Sequence, residues 1–232
     1  MMPLHKPQRV QASEFMDLGP AYYTSQEWND MLYKLGTINT LLLGNYFIYR
    51  AIDTLTPKPS SIIDVGCGAG RSTLKIALRY PAATVVGIDI DQRCIERAQT
   101  IHPDKPANLN FELQKELSLQ LPEKSYDVVL CMLVCHHMSD DEIIEFISHA
   151  RRAAKRCVII SDLHRHPLAI AGYSLLAPLF NNRLILYDGL ISILKSFTRQ
   201  DWHYYCKQAH VPETHYRISW NPAFRFTVMI YS

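Results

Sequence analysis

Residues 63–72 read Ile63-Asp64-Val65-Gly66-Cys67-Gly68-Ala69-Gly70-Arg71-Ser72 and carry the strongest fold signal in the chain. An apolar run at residues 61–65 ends at three glycines, and residues 71–80 then carry the apolar spacing of a helix. Glycines allow a tight turn that brings backbone N–H groups against a ligand at the start of a helix. The pattern predicts a strand, a turn and a helix with a ligand above the turn, the alternative being a purely structural turn.

Two common phosphate-binding patterns do not fit this turn. The nicotinamide dinucleotide fingerprint requires a glycine at position 71, which is arginine, and a P-loop requires GxxxxGK followed by serine or threonine. Asp64 also precedes the glycines, where a pyrophosphate needs neutral or positive surroundings. The acid favours a cationic ligand and argues against a nicotinamide oxidoreductase.

A second acid stands at the end of the next apolar run. Asp89 follows residues 84–88 and lies 19 residues after Gly70. An acid at this distance, at the tip of the neighbouring strand, is placed to bind two ribose hydroxyls. Asp91, by contrast, is expected to be the N-cap of the helix that follows.

The remainder of the chain alternates between strand and helix patterns, which is typical of an α/β protein with a mostly parallel sheet. An arm at residues 1–24 and two helices within 25–54 precede this alternation, and two closely spaced strand patterns near the end predict an antiparallel hairpin. The predicted strands are 61–65, 84–88, 108–113, 126–132, 156–161, 216–220 and 225–230, and the predicted helices after the arm region are 71–80, 92–101, 140–153 and 198–209.

These segments resemble the class I S-adenosylmethionine-dependent methyltransferases. The matching residues are Asp64 to Gly70, Gly87 to Asp89, and Ser125 to Met138. The resemblance implies a Rossmann-like fold, a seven-stranded mostly parallel sheet with an antiparallel last strand, helices on both faces and a helical cap. We expect an N-terminal helical cap at residues 1–59 and a methyltransferase domain at 60–232 with a lid insertion at about 167–197.

The resemblance also implies S-adenosylmethionine as the cofactor. The methionine part would contact the region from Asp64 to Gly70, the ribose hydroxyls Asp89, and the adenine Ile90. Members of the family commonly carry an aspartate after the third strand, where this chain has Lys115 and Glu116. Glu116 is one substitute for that adenine contact; a backbone carbonyl and a solvated charge pair are the alternatives. The expected cofactor-binding residues are Asp64, Gly66, Cys67, Gly68, Gly70, Asp89, Ile90, Glu116 and Leu133.

The substrate is expected beyond the carboxyl ends of the strands. His136 and His137 follow the fourth strand there, and either is a candidate general base or a residue that lines the pocket. The apolar insertion and the N-terminal helices predict a cover over a hydrophobic small molecule that is methylated on oxygen or carbon. The candidate pocket residues are Tyr22, Tyr23, Tyr33, Asn39, His164, Tyr173 and Tyr187.

Alternatives remain for the insertion and for the function. Residues 168–180 are apolar, and packing on the sheet or a homodimer contact would also explain them. The segments 162–169 and 188–192 are similar to segments in bacterial methyltransferases of secondary metabolism. A cofactor-binding regulatory or partner subunit without catalysis is the alternative function.

Composition excludes several other classes. The 232 residues include 24 basic and 22 acidic side chains, a balance that argues against a nucleic-acid partner. Six cysteines without a CxxC pair predict reduced thiols in a cytoplasmic protein, and the histidine spacings fit no standard zinc site, so no metal is expected. The longest apolar run, residues 168–180, is too short for a transmembrane segment.

Overall fold

The computed structural model describes residues 6–114 and 121–232, and a seven-stranded sheet organises them. The strand order is β3-β2-β1-β4-β5-β7-β6, and β7 runs antiparallel to both of its neighbours while the other paired strands are parallel. This confirms the predicted sheet and its antiparallel last strand. The strands are β1 (Ser61–Val65), β2 (Thr84–Asp89), β3 (Leu109–Leu113), β4 (Tyr126–Met132), β5 (Ala154–Leu163), β6 (Tyr216–Asn221) and β7 (Arg225–Tyr231).

Helices cover both faces of the sheet. Ile62 and Ile63 are neighbours in β1 and belong to two separate apolar clusters, because successive side chains of a strand point to opposite faces. The helices are α1 (Phe15–Leu18), α2 (Ser25–Leu41), α3 (Gly44–Asp53), α4 (Arg71–Arg79), α5 (Gln92–Ile101), α6 (Asp140–Ala153), α7 (Pro167–Leu176), α8 (Arg183–Lys195) and α9 (Arg199–Gln208). Helices α6 and α9 contribute to one cluster, and α3, α4 and α5 to the other.

Local capping signals set the starts of the helices. The side chain of Asp91 accepts a hydrogen bond from the N–H of Arg93, which confirms that Asp91 is the N-cap of α5. Thr198 and Asp201 form a complete capping box at the start of α9, with aspartate in the place of the usual glutamate. The pattern also predicted two helices within residues 25–54, and the structure has α2 and α3 there.

The order of the strands in the sheet leaves a crevice at the carboxyl ends of the central strands. From β1 the sheet extends through β2 to β3 in one direction and through β4 to β5 in the other. The loops that leave the carboxyl ends of β1 and β4 therefore run to opposite sides and leave room between them. The turn from Gly66 to Gly70 and the residues that follow β4 border this crevice.

Helices α2 and α8 pack together above the crevice. Trp28 and Met31 of α2 share an apolar cluster with Leu184 and Ile185 of α8. Across residues 6–114 and 121–232, no helix combines the length and the apolar character needed to cross a membrane.

Candidate active site

A cavity of about 860 Å³ lies over the carboxyl ends of β1, β2 and β4. The turn after β1 and the tip of β2 form one side of it, and residues 132–139 form another. Two further walls come from outside the sheet. They are the arm, whose residues 9–13 reach the cavity, and the inner face of α2, which contributes Leu35, Gly36 and Asn39.

The glycine turn presents backbone to the cavity. The N–H groups of Gly66 and Cys67 donate to the Ile88 carbonyl at 2.8 and 3.0 Å, which fixes the turn against β2. Gly68 has a left-handed φ of +54°, and a side chain at this position would meet nothing within 4 Å. The space above Gly68 is therefore open for a ligand that contacts the backbone closely.

Two carboxyl groups make the floor of the cavity electronegative. Asp64 is buried and accepts a hydrogen bond from the Thr73 hydroxyl at 2.6 Å. Burial, with the nearby charge of Asp89, raises the pKa of Asp64 to about 7. Burial also raises the pKa of Asp89, whose two oxygens accept the N–H groups of Gly68 at 2.8 Å and Asp91 at 3.0 Å. A cationic group in the cavity would favour the ionised form of both acids.

His136 forms a buried dyad with Asp162 on the opposite side of the cavity. Nδ1 of His136 lies 2.7 Å from Oδ1 of Asp162, and the N–H of Leu163 donates to the same oxygen at 2.7 Å. Burial opposes ionisation of Asp162, but the facing His136 and the Leu163 N–H outweigh it and lower the pKa of the Asp162 carboxyl. An ionised carboxylate only accepts hydrogen bonds, so Nδ1 of His136 carries a proton and Nε2 is the basic nitrogen of the neutral ring.

His137 lies in a second cluster of charged groups. Its Nδ1 is 3.0 Å from a carboxylate oxygen of Asp17, and Nζ of Lys195 lies 3.3 Å from Asp17 and 3.4 Å from Glu14. Burial would raise the pKa of Asp17, but His137 and Lys195 lower it to about 2. Burial raises the pKa of Glu14 to about 6. Glu14, His136 and His137 each offer one potential metal-ligating atom, and these three atoms lie within 4.8 Å of one another. The ammonium group of Lys195 places a positive charge beside Glu14 in this cluster.

A buried arginine holds α2 against the sheet. Nη1 of Arg225, at the start of β7, donates to Oδ1 of Asn39 at 2.8 Å, and Nδ2 of Asn39 donates to the Ser72 hydroxyl at 3.2 Å. Burial lowers the pKa of Arg225 to about 10. Asn39 thus connects the cavity wall of α2 to both β7 and the start of α4.

The structure brings most of the expected cofactor residues to this cavity. Gly70 lies beneath the turn instead, packed against Phe111, where its left-handed φ of +72° and the lack of room for a side chain explain the glycine. Glu116 and its neighbour Lys115 lie outside the described residues. The expected cofactor residues that line the cavity are Asp64, Gly66, Cys67, Gly68, Asp89, Ile90 and Leu133.

Of the expected substrate-side residues, Asn39, His136 and His137 line the cavity and six others do not. Tyr22 is exposed on the surface beside Phe15, and Tyr23 is buried with Trp28 in the cluster between α2 and α8. Tyr33 is exposed and faces the guanidinium group of Arg71, whose carbon lies 4.6 Å from the ring centre.

The three remaining expected pocket residues are held by contacts elsewhere. The Tyr173 hydroxyl donates to the Ile185 carbonyl at 2.6 Å and so joins α7 to α8, while the Tyr187 ring packs on Phe15. His164 accepts a hydrogen bond from the indole of Trp220 at 3.2 Å. The aromatic composition of these segments did not indicate which face each helix turns toward the sheet.

The sequence predicted a cover made of the N-terminal helices and the 167–197 insertion, and in the structure the arm and α2 wall the cavity. Of that insertion Lys195 lines the cavity, Leu184 and Ile185 pack against α2, and Phe197 is buried in the core cluster that α6 and α9 cover. Arg9, Glu14 and Asp17 of the arm, together with Lys195, Asp162 and Arg225, were absent from the sequence-based candidate list. The arm has no helical or strand periodicity, so its sequence carried no signal for these contacts.

Part of the chain matches a known protein family. Residues 62–156 match the family model described as a methyltransferase domain. A ubiquinone biosynthesis O-methyltransferase of Bordetella parapertussis is 29% identical over 163 residues, covering 68% of this chain and 65% of that protein. An ajmaline N-methyltransferase of Rauvolfia serpentina is 29% identical over 113 residues, covering 47% of this chain and 38% of that protein. The chain spans less than two thirds of the length of each of these relatives.

A solved structure agrees over nearly the whole chain. The plantazolicin methyltransferase BpumL, in complex with a pentazolic desmethylPZN analog and SAH, superimposes with a TM-score of 0.70 at 16% identity, covering 94% of this chain and 93% of that one. At this level of identity the likeness establishes the fold.

Proposed function

We propose that this chain, whose residues 62–156 match a family model described as a methyltransferase domain, transfers the methyl group of S-adenosylmethionine to an oxygen or carbon atom of a hydrophobic small molecule. The observation that carries the proposal is one cavity bordered by the glycine turn, by Asp64 and Asp89 on one side, and by the His136–Asp162 dyad on the other.

The residues around the glycine turn fit the cofactor in chemistry and in space. S-adenosylmethionine carries a positive sulfonium and an amino group, and Asp64 and Asp89 offer two carboxyl groups to that side of the cavity. The open space above Gly68 admits a ligand against the backbone. Asp89 stands at the strand tip where it would accept two ribose hydroxyls, and Ile90 and Leu133 offer apolar contacts to the adenine.

The protein's own groups prepare the acceptor. When bound, the cofactor would supply a methyl group on a positively charged sulfur, and this sulfur would leave as a neutral thioether when the acceptor atom bonds to the methyl carbon. Nε2 of His136 would take the proton of an acceptor hydroxyl, while Asp162 holds the ring and stabilises its protonated form. The arm and α2 wall the cavity, and walls that exclude water from a bound acceptor would favour methyl transfer over hydrolysis.

Oxygen is the acceptor atom that the geometry favours. The dyad provides a general base, and a hydroxyl nucleophile needs such a base to remove its proton. A carbon nucleophile that is activated by a neighbouring hydroxyl uses the base in the same way. A protein similar to this chain is named for methyl transfer to oxygen, and another for transfer to nitrogen. A hydroxylated, largely apolar aromatic compound therefore matches both the dyad and the apolar side chains of the cavity, among them Leu32, Leu35 and Phe146.

The test of this function is a transfer assay. The full chain is incubated with methyl-labelled S-adenosylmethionine and a panel of apolar phenols, hydroquinones, amines and carboxylic acids. We expect label on phenols or hydroquinones, and none on the amines. Tight cofactor binding without transfer to any compound would contradict the enzyme and support a non-catalytic cofactor-binding subunit.

A further inference from the structure

The turn between α2 and α3 exposes a cluster of large apolar side chains. Leu41 is 70% exposed, Leu42 38%, Leu43 51% and Tyr46 51%. Three consecutive leucines open to water at one turn are more than the scattered apolar residues of an ordinary protein surface. We call these four residues the leucine tip.

The backbone of the leucine tip is held in a conformation that does not suit leucine. Leu43 has a left-handed φ of +57°, a region that glycine and asparagine adopt far more readily. The turn is fixed from inside, because Asn39 is bound by Arg225 at 2.8 Å and a side chain at Gly44 would come within 1.9 Å of the Asn39 oxygen. A leucine that is half exposed in a strained backbone conformation contributes less to stability than a buried one would, which is consistent with a role at the surface.

Cations without carboxylate partners surround the leucine tip. The guanidinium group of Arg50 lies 5.9 Å from the Tyr46 ring centre, and Nζ of Lys75 donates to the Thr40 hydroxyl at 2.7 Å. Arg71 donates to the carbonyl of Tyr33, which lies about two turns before Thr40 on α2. Among the residues that the structure describes, no carboxylate forms an ion pair with any of these three cations, and residues 31–52 and 65–88 contain no Asp or Glu.

A second exposed apolar surface, on α7 and the turn after it, lacks this charge pattern. Leu168, Leu175 and Leu179 are exposed there. Lys34, which donates to the Phe180 carbonyl, is paired with Asp30 at 2.6 Å, and the nearby Arg183 is paired with Glu27 at 2.6 Å. Unbalanced positive charge beside exposed leucines is therefore a property of the leucine tip.

We propose that the leucine tip and its three cations dock the protein on the surface of an anionic lipid bilayer. Peripheral attachment requires two signals, and both are present at this turn: apolar side chains that enter the interface and cations that face the headgroups. The inner face of the same helix lines the cavity through Leu35, Gly36 and Asn39. Docking brings that wall close to the bilayer, and a hydrophobic acceptor then reaches the cavity from the membrane, a consequence that rests on the proposed function.

The experiment is co-sedimentation of the full chain with vesicles of phosphatidylcholine, with and without phosphatidylglycerol. The apolar variant is Leu41→Ser with Leu43→Asn, since asparagine tolerates the left-handed backbone, and the charge variant is Arg50→Gln with Lys75→Gln. The matched control is Leu168→Ser with Leu175→Ser on α7. Melting temperature and S-adenosylhomocysteine titration of every variant show that the fold and the cofactor site persist.

We expect binding to vesicles that contain phosphatidylglycerol, weakened by salt and reduced about tenfold or more by either variant of the tip, with the α7 control unchanged. Absence of vesicle binding, or an equal loss in the α7 control, overturns the proposal. A wild-type dimer that the tip variant abolishes, without vesicle binding, would make the tip a protein interface instead. Because S-adenosylhomocysteine titration is scored separately, failure of docking and failure of the proposed function give different results.

Discussion

At the scale of single residues, burial raises the pKa of Asp64 and so makes its charge sensitive to a bound cation. The carboxyl group is shielded from water and receives one side-chain hydrogen bond, from Thr73 at 2.6 Å. Burial raises its pKa to about 7, so near neutrality both the protonated and the ionised form of the carboxyl group are populated. A bound cation would compensate for the lost hydration of the carboxylate and lower the pKa again.

This linkage predicts a pH dependence of cofactor affinity. Below pH 7 Asp64 is protonated and neutral, and above pH 7 it is ionised, so a ligand with a cationic amino or sulfonium group binds more tightly as the pH rises. Calorimetric titration with S-adenosylmethionine should show affinity rising up to about tenfold per pH unit below the pKa and levelling above it. Asp64→Asn should flatten the curve. An affinity that falls between about pH 6 and pH 8 would contradict this role of Asp64.

The dyad makes a second prediction at the same scale. His136→Gln should lower kcat about 10²- to 10⁴-fold, because the acceptor loses its base, while S-adenosylhomocysteine affinity stays near that of the wild type. His166→Gln is the matched control, since His166 does not line the cavity in the described structure. A loss confined to KM, or an equal loss in the control, would argue that His136 only shapes the pocket.

At the scale of elements, the described part of the arm, residues 6–24, belongs to no strand of the sheet and is held at two places. Arg9 donates to Asp140 at 3.0 Å, to the Lys195 carbonyl at 3.1 Å and to the Met138 carbonyl at 2.6 Å. The backbone N–H groups of Phe15 and Met16 donate to the carboxylate of Asp188 at 2.7 and 3.3 Å. Between these clamps the arm forms one wall of the cavity.

Removing the first clamp should open that wall. Arg9→Ala leaves Asp140 without its buried ion-pair partner and should destabilise the arm by about 3 to 5 kcal/mol, the range for a broken buried ion pair. Hydrogen–deuterium exchange of residues 9–19 should accelerate, and S-adenosylhomocysteine should dissociate faster. Lys6→Ala, at an exposed position of the same arm, is the control. Unchanged exchange in Arg9→Ala would show that the arm is held by its other contacts.

At the scale of the whole molecule, the sheet and the glycine turn were predictable because their signals are local. Buried strands are continuous apolar runs, capping residues stand beside the helices they begin, and Asp64, Gly66 to Gly70 and Asp89 follow one another within 26 positions. The second half of the site has no such signal. Arg9 and Asp140 lie 131 positions apart, and Phe15 and Asp188 lie 173 apart, so chain folding alone brings them together.

The same limit explains the tyrosines that lie away from the cavity. Tyr173 and Tyr187 were candidates because they belong to an apolar insertion with a helical pattern. A side chain of α7 or α8 can pack on the sheet, on the arm or on the neighbouring helix. Which of these it contacts depends on interactions between distant residues, such as the hydrogen bond from the Tyr173 hydroxyl to the Ile185 carbonyl at 2.6 Å. The periodicity of apolar residues predicts that a segment forms a helix, but it does not determine which other elements that helix packs against.

If the cavity over the glycine turn is a cofactor site, a single titration should show it. S-adenosylhomocysteine is titrated into the wild type, Asp89→Ala and the surface control Asp104→Ala, and each fold is checked by melting temperature. We predict saturable binding by the wild type and the control, and at least about tenfold weaker binding by Asp89→Ala, since a charged group that accepts two hydroxyls is lost. No binding by the wild type, or equal affinity in all three proteins, would contradict the account.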